Sequence, residues 1–376
     1  MKRVFLILGL LLTLFGAAVS YLPSERDTVS ASAGSAVGDA EVYAGYEGGF
    51  GFSDGAESDS RLDAILKREE ERWRALNEHG KNPEKAPHDG ETEKKKFIRW
   101  CEFAVPYEIL AKAMSLDIES HTNGGTPIDW IDLLSLYAVK CYGNFGNSSV
   151  KDLRTLAADI KSGNVPERLK NHKLYPFYKE VYTAVLGEYL GSYTVEKPDP
   201  ENPEKTIKIE KYGMKVYSPI AAGYRYSHYD DFGNSRNFGY KRRHLGHDLM
   251  GSIGTPIVAV EGGIVSEIGW NRFGGWRIGI RSFDTKRYYY YAHLRKDKPY
   301  PAEFKKGDVV HAGDVIGYLG MTGYSSKPNV NNIKPPHLHF GLQLIFDESQ
   351  ANGASEIWVD VYALTRLLQK NCAKVR

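Results

Sequence analysis

His244-Leu-Gly-His-Asp248 and His337-Leu-His339 are the two stretches that say most about the C-terminal half of this chain of 376 residues. Residues two apart share a face of an extended strand, so His337 and His339 should project the same way. A turn or short loop between His244 and Asp248 can aim both side chains at one point. Because a catalytic zinc takes three protein ligands and leaves a fourth position for water, we predict that His244, Asp248 and His339 bind one divalent metal ion, with His337 beside the water.

Short runs typical of β-strands surround both stretches. They include Ile257–Val260, Gly263–Ile268, Trp276–Ile280, Arg287–Ala292 and Val315–Tyr318, with glycine and proline between them. This punctuation is typical of an antiparallel sheet with tight turns. The pattern predicts a mainly β domain over residues 213–376, closed by a short helix near the C-terminus.

The two metal motifs and three further blocks of sequence in this region resemble the lysostaphin/LytM-type zinc metallopeptidases of peptidase family M23. The three further blocks are Tyr291-Ala-His293-Leu294, the hairpin Gly307–Gly317 and the turn Gly320–Ser325. The resemblance covers roughly residues 213 to 364. It implies a LytM-like antiparallel β domain, one bound Zn²⁺ and a metalloendopeptidase that hydrolyses stems or cross-bridges of peptidoglycan during cell-wall remodelling.

The resemblance also implies catalytic roles for His293 and His337. Their counterparts in the family orient the attacking water, take its proton or stabilise the oxyanion, and histidine suits this work because its pKa lies near neutrality. The sequence does not decide which of the two is the base. His247 occupies a position that the family leaves open, so we expect it to lie beside the site; a His244/His247 ligand pair remains an alternative.

Aromatic residues are numerous around the metal motifs, and we predict that Tyr240 and Tyr291 contact the substrate. The segment 326–336 is longer than the family's usual connection and is expected to narrow the cleft or to act as a lid. A catalytically silent relative that binds wall material or a partner protein is the alternative function. Such forms usually lack a ligand, whereas the three ligands and both helper histidines are present here.

The N-terminus begins with Met-Lys2-Arg3 and continues through the uncharged run Val4–Val19. This pattern predicts a signal or membrane anchor over residues 1–23, and cleavage or retention is left open. In either case the rest of the chain should lie outside the cytoplasm, at the cell membrane or secreted to the wall. Residues 24–96 are rich in small, polar and acidic residues and are predicted to be a flexible linker, with a short charged helix within it.

Helical periodicity appears over residues 97–193, which we predict to be an α-helical module. Expected features are a helix start at Thr126-Pro127, a capping box at Ser149–Asp152 and a last helix from about Tyr175 to Leu190. Residues 194–212, with three closely spaced prolines, are predicted to be a linker. The fold class is therefore α+β and multidomain, and the helical module leaves room for wall-remodelling protein partners.

The composition excludes some functions. The formal net charge is +2, so the chain lacks the large basic field that binds nucleic acid. We therefore expect no nucleic acid partner. The three cysteines show neither zinc-ribbon spacing nor a disulfide framework.

Overall fold

The computed structural model describes residues 103–202, 204–301, 303–351, 353 and 355–375, which belong to one compact unit. The predicted signal or anchor at 1–23 and the linker at 24–96 lie outside the described residues. Within the described ranges, no helix is both long enough and apolar enough to cross a membrane.

A helical region precedes the β domain, as predicted. Its helices are α1 (Tyr107–Thr122), α2 (Trp130–Lys140), α3 (Val150–Ser162), α4 (Glu167–Lys170) and α5 (Tyr175–Leu186). The apolar side chains of these helices form the core of this region, and nine of the eleven residues of α2 are buried.

The helix ends in the structure agree with the sequence prediction at one start and differ from it at another start and at the last end. The predicted start of α3 is confirmed, because the Ser149 hydroxyl accepts a hydrogen bond from the Asp152 N–H at 3.0 Å; the Ser149 N–H donates to the Tyr137 hydroxyl, so the reciprocal bond of a capping box is not formed. The expected start at Thr126 is wrong: the cap of α2 is Asp129, whose carboxylate accepts from the Ile131 and Asp132 N–H groups. The last helix ends at Leu186, four residues before the predicted end.

The segment predicted as a linker over 194–212 is instead an antiparallel β-hairpin. Strands β1 (Leu190–Pro198) and β2 (Thr206–Met214) pair over their full length. The proline-rich segment between them forms the connection of this hairpin. The Tyr212 hydroxyl donates a hydrogen bond of 2.8 Å to the buried Asp117 of α1, so the hairpin packs against the helices.

The β domain is built of short strands. They are β3 (Ser227–His228), β4 (Ser235–Arg236), β5 (Arg242–Arg243), β6 (His247–Met250), β7 (Pro256–Val258), β8 (Gly263–Asn271), β9 (Gly275–Ser282), β10 (Arg287–Ala292), β11 (Val309–Val310), β12 (Val315–Tyr318), β13 (His337–Leu344) and β14 (Ile357–Val359). Two short helices, α6 (Glu348–Ala351) and α7 (Tyr362–Leu368), follow β13 and β14 respectively.

The large sheet has the order β11-β8-β9-β10-β13-β6-β3, with β14 also paired to β13, and the strand pairs are antiparallel. The pairs β7–β12 and β4–β5 form separate two-stranded sheets. The antiparallel β prediction for this region is therefore confirmed. The order places β6, β10 and β13, which carry or adjoin the metal motifs, side by side.

A buried arginine joins the β domain to the helices. Arg287, at the start of β10, forms a two-point ion pair with Glu261 at 2.8 and 3.1 Å. Its Nη1 atom donates a hydrogen bond of 2.8 Å to the Ala184 carbonyl of α5. Because Arg287 is fully buried, these contacts tie the two regions together within the interior.

Candidate metal centre and active site

The side-chain nitrogen and oxygen atoms of the three predicted ligands lie close together. His244 Nε2 lies 2.8 Å from His339 Nδ1 and 3.1 Å from Asp248 Oδ1, and His339 Nδ1 lies 3.3 Å from that same oxygen. Tetrahedral ligands at 2.0–2.1 Å from a zinc ion are about 3.3 Å apart, so these separations are close to those of a metal-bound set. Two imidazole nitrogens and a carboxylate are also the donor types that suit zinc.

The strand register explains this convergence. Asp248 lies directly opposite His339 in the β6–β13 pair, and Ala292 lies opposite His339 in the β10–β13 pair. His244 reaches the same point from the loop just before β6. Gly246 is required in that loop, because a Cβ atom there would lie 2.6 Å from the Phe340 carbonyl oxygen and 2.8 Å from His339 Nε2.

Asp231 and Arg236 support the ligands from behind. Asp231 Oδ2 lies 3.1 Å from His244 Nδ1, the arrangement by which a carboxylate orients a metal-binding imidazole. Arg236 Nη2 donates to Asp231 at 2.7 Å and to Asp248 Oδ2 at 3.0 Å. Asp248 thus keeps Oδ1 for the metal and uses Oδ2 for the guanidinium.

The two predicted catalytic histidines lie beside the ligands. His337 Nδ1 is 2.8 Å from the Pro335 carbonyl, and His293 Nδ1 is 2.9 Å from the Thr322 carbonyl. A carbonyl only accepts, so Nδ1 carries the proton in each ring and Nε2 keeps its lone pair. The two rings are 4.9 Å apart and perpendicular. Both histidines therefore present an atom able to accept a proton.

The pKa shifts keep the His339 and His293 imidazoles neutral and the Asp248 carboxyl ionised. Burial lowers the pKa of His339 to about 4, and burial, with a smaller effect from the neighbouring imidazoles of His337 and His339, lowers the pKa of His293 well below its usual value. Burial alone would raise the pKa of Asp248, but hydrogen bonds with His244 and His339 hold it well below its usual range.

His244 shifts in the opposite direction. Burial alone would lower its pKa, yet hydrogen bonds with Asp231 and Asp248 raise the pKa above the ordinary value. A metal ion that binds here would displace a proton from His244, because only a neutral imidazole serves as a ligand.

A cleft of about 1020 Å³ opens over these residues along one face of the large sheet. Tyr240 lines it and is 57% exposed, a position compatible with the predicted substrate contact. The prediction for Tyr291 is wrong: its ring is fully buried and its hydroxyl accepts from the Val260 N–H at 2.9 Å. Because Ala292 pairs with His339, Tyr288 and Tyr290 face the cleft and Tyr291 faces the core.

The segment 326–336 forms one wall of the cleft. Asn332 to Pro335 line the cleft, and Ile333 is buried. Asn329 accepts hydrogen bonds from the Trp276 indole at 2.9 Å and the Asp297 N–H at 2.8 Å, and so fastens the segment to the body of the domain. Its role as a lid stays a prediction.

His247 points away from the three ligands. Its Nε2 lies 2.8 Å from Asp360 and its Nδ1 lies 2.9 Å from the Tyr229 carbonyl. Asp230, His247 and Asp360 have ligand atoms close enough together to hold an ion, but both nitrogens of His247 already have these partners. We therefore interpret His247 as a structural residue of the wall behind the centre.

Sequence reasoning missed Asp231, Arg236 and Arg242, which lie in the segment between β3 and β6. The run Tyr229-Asp-Asp231 beside a predicted histidine motif was the available signal for Asp231, because metal-binding imidazoles usually have a carboxylate or carbonyl partner. The two arginines carried no pattern, since a segment of short strands and turns has no periodicity.

Comparisons with known proteins give a family match and several relatives. Residues 242–352 match Peptidase family M23, so the chain contains a domain of this family. The L-Ala--D-Glu endopeptidase of Bacillus subtilis is 37% identical over 49% of this chain and 59% of its own length. Lysostaphin of Staphylococcus staphylolyticus is 40% identical over 26% of this chain and 18% of its own length.

A solved structure, the catalytic domain of lysostaphin from Staphylococcus simulans, is 32% identical over 38% of this chain and 92% of that chain, with a TM-score of 0.28. The chain thus spans about three fifths of the Bacillus relative and less than a fifth of lysostaphin from Staphylococcus staphylolyticus.

Proposed function

We propose that this protein is a zinc-dependent endopeptidase that hydrolyses peptide bonds in the stems or cross-bridges of peptidoglycan. One observation carries the proposal: three ligand atoms converge at 2.8 to 3.3 Å, with two further histidines beside them. The name of the Bacillus relative, L-Ala--D-Glu endopeptidase, and the match to Peptidase family M23 support the substrate class.

His244, Asp248 and His339 would hold the zinc ion. When bound, zinc supplies an acidified water and Lewis-acid polarisation of the scissile carbonyl. Asp248 offsets part of the metal charge, while Asp231 and Arg236 fix the orientation of His244 and Asp248. Burial of the ligands excludes competing water and strengthens each of these interactions.

His293 and His337 perform the proton transfers in this proposal. Each Nε2 has a lone pair, because each Nδ1–H is held by a carbonyl. One of them accepts the proton of the attacking water at Nε2 and, once protonated, gives that proton to the amine that leaves as the C–N bond breaks. The other accepts a hydrogen bond from the water and orients it. The backbone of His293 is held in the left-handed region, with φ of 61°, which fixes its ring against Thr322.

The proposal includes a location outside the cytoplasm, at the membrane face or in the wall. The substrate lies there, and the apolar run Val4–Val19 after Lys2 and Arg3 supports export. Anchoring to the membrane through this run and contacts with wall-remodelling proteins belong to the same proposal.

The test uses the chain from residue 24 onward, loaded with zinc, on peptidoglycans of different cross-bridge chemistry. Released amines are identified by mass spectrometry with and without chelator, and bound metal is measured by elemental analysis. We expect cleavage that the chelator abolishes and that is lost in His337→Ala. His311→Ala, on an exposed hairpin, is the matched control and should retain activity. A zinc-loaded protein that leaves every wall intact would overturn the proposal.

A further inference from the structure

The β4–β5 ribbon places two arginines side by side at the cleft. Arg236 and Arg242 are directly opposite each other in this two-stranded pair, so their side chains share a face. Like charges in this position repel each other, which favours a negative partner for each. Arg236 has two such partners, Asp231 at 2.7 Å and Asp248 at 3.0 Å.

Arg242 is held differently. Its Nη1 atom donates to the Phe238 carbonyl at 2.9 Å, and no carboxylate within the described ranges forms an ion pair with it. Its guanidinium carbon lies 4.8 Å from the ring centre of Phe273, 5.4 Å from that of Tyr324 and 6.0 Å from that of Tyr240. These rings hold the charge by cation–π attraction and occupy none of its N–H groups.

This cage leaves most donors of Arg242 available. A guanidinium has five N–H groups in a planar fork that matches a carboxylate in two-point fashion. The aromatic rings fix the fork, so less side-chain entropy is lost when a ligand binds. An arginine fixed in this way beside a peptide cleft is a preformed site for a carboxylate.

The cage lies next to the candidate catalytic histidine. Tyr324, one of its rings, is 6.0 Å from the ring of His293, and Arg242, Tyr324 and His293 all line the cleft. Seven lysines and arginines line this cleft against three aspartates and glutamates, so its field attracts an anionic peptide.

We propose that Arg242 binds a free carboxylate of the substrate peptide next to the scissile bond. The inference rests on the proposed function and specifies its substrate class: acidic stem peptides, such as those with a γ-linked glutamate whose α-carboxylate is free, are preferred over neutral glycine bridges. Arg242 is therefore a residue that determines specificity, distinct from the ligands and from the two catalytic histidines.

The experiment compares three synthetic substrates: a glycine-bridge peptide and two stem peptides that differ only in one group, the free α-carboxylate of D-glutamate or its carboxamide. Wild type should cleave the carboxylate peptide with roughly 10- to 100-fold higher kcat/KM, as expected for a hydrogen-bonded charge pair. Arg242→Gln should lose this preference by slowing cleavage of the carboxylate peptide alone. Arg242→Lys, which keeps the charge but not the fork, should retain part of it.

Arg272→Gln is the matched control, because Arg272 also lies over the Phe273 ring, at 4.6 Å, but is exposed and is not among the cleft residues. It should keep the wild-type preference, and thermal melting checks that each variant is folded. Equal cleavage of both peptides by wild type, or a glycine bridge as the preferred substrate, would overturn this inference and leave the proposed function intact. Absence of cleavage of all three substrates would overturn both.

Discussion

At the scale of single residues, Asp231 links the candidate metal centre to the segment before β6. Its carboxylate lies 3.1 Å from His244 Nδ1, 2.7 Å from Arg236 and 3.3 Å from the Asp248 N–H. Asp231 therefore orients the His244 imidazole directly. It orients Asp248 through the Asp248 backbone N–H and through Arg236, which contacts both carboxylates.

We expect Asp231→Asn to weaken zinc binding roughly 10- to 100-fold, because an amide orients the His244 ring less strongly and leaves Arg236 with one negative partner. Competition with a chromogenic chelator measures the zinc affinity. Asp230→Asn, at the adjacent exposed carboxylate, is the control and should bind zinc as wild type does. Unchanged affinity in Asp231→Asn would show that His244 is oriented by other contacts.

His228 gives the fold a pH dependence. Burial, followed by the positive charge of His247, lowers its pKa to about 4, while its Nε2 lies 2.8 Å from the Thr365 hydroxyl. The unfolded state takes up this proton near pH 6.5, before the folded state does, so the free energy of unfolding falls as the pH decreases from 6.5 towards 4.

For this group alone we expect a loss of about 2 kcal/mol between pH 7 and pH 5. Urea unfolding at both pH values measures it, and His228→Gln should show a smaller pH difference than wild type. His311→Gln, on the exposed hairpin, should match wild type. If His228→Gln shows the same pH difference as wild type, the acid sensitivity arises from other groups.

The spacing of residues in the sequence predicted the metal ligands and the two neighbouring histidines, but not the residues that surround them. The Asp248–His339 and His337–His339 relations follow from strand geometry, so the sequence could indicate them. The prediction that Tyr291 contacts the substrate was wrong because the alternation in Tyr288–Tyr291 defines two faces of the strand but does not say which one lines the cleft. The pairing of Ala292 with His339 decides which face lines the cleft. Arg242 depends on a ribbon of two paired residues per strand, which is too short to have a detectable period.

At the scale of elements, the start of β10 bears a fully buried polar contact between the helices and the sheet. Arg287→Met should lower the free energy of unfolding by about 3–5 kcal/mol, because it leaves the buried Glu261 without its cation. Arg281→Met, on the neighbouring strand β9, removes a pair with the exposed Glu348 of α6 and should cost about 1 kcal/mol or less. Urea denaturation compares the two.

A second variant isolates the cause. Adding Glu261→Gln to Arg287→Met removes the uncompensated charge and should recover part of the lost free energy. If the double variant is less stable than Arg287→Met, the loss comes from the packing of β10 against α5 and not from the charge of Glu261.

The elements differ in how far the sequence could predict them. Strands β7 to β10, strand β12 and helix α7 were predicted because glycine, proline or polar residues bound them. The hairpin β1–β2 was read as a linker because three prolines near its turn outweighed the alternation in Thr206-Ile-Lys-Ile-Glu210. Its stability comes from tertiary contacts such as the Tyr212–Asp117 hydrogen bond, which span about ninety-five positions and have no local sign.

At the scale of the whole molecule, the helical region and the β domain share an interior. Arg287 reaches the Ala184 carbonyl, and Arg366 of α7 lies 4.2 Å from the ring centre of Tyr107 in α1. Tyr189, between α5 and β1, is buried, and its carbonyl accepts from the Lys215 N–H at 2.9 Å.

A segment of residues 213–376 should therefore melt at least about 5 °C lower than one of residues 97–376, since removing the helices exposes these buried groups. Calorimetry of the longer segment should show a single cooperative transition. Lys208→Ala, which removes an exposed pair with Glu196 on the hairpin, should leave the melting temperature nearly unchanged. Two separate transitions in the longer segment would contradict a shared interior.

The strands β4 and β5 pair with each other and not with a strand of the large sheet that carries Asp248 and His339. One of its paired arginines, Arg236, serves the ligands, and the one opposite, Arg242, faces the substrate side of the cleft. Substitutions at Arg242 can therefore accumulate over generations without changing the pairing of β6, β10 and β13. Under the proposed function, a change of peptide specificity at Arg242 would leave the three metal-ligand positions unchanged.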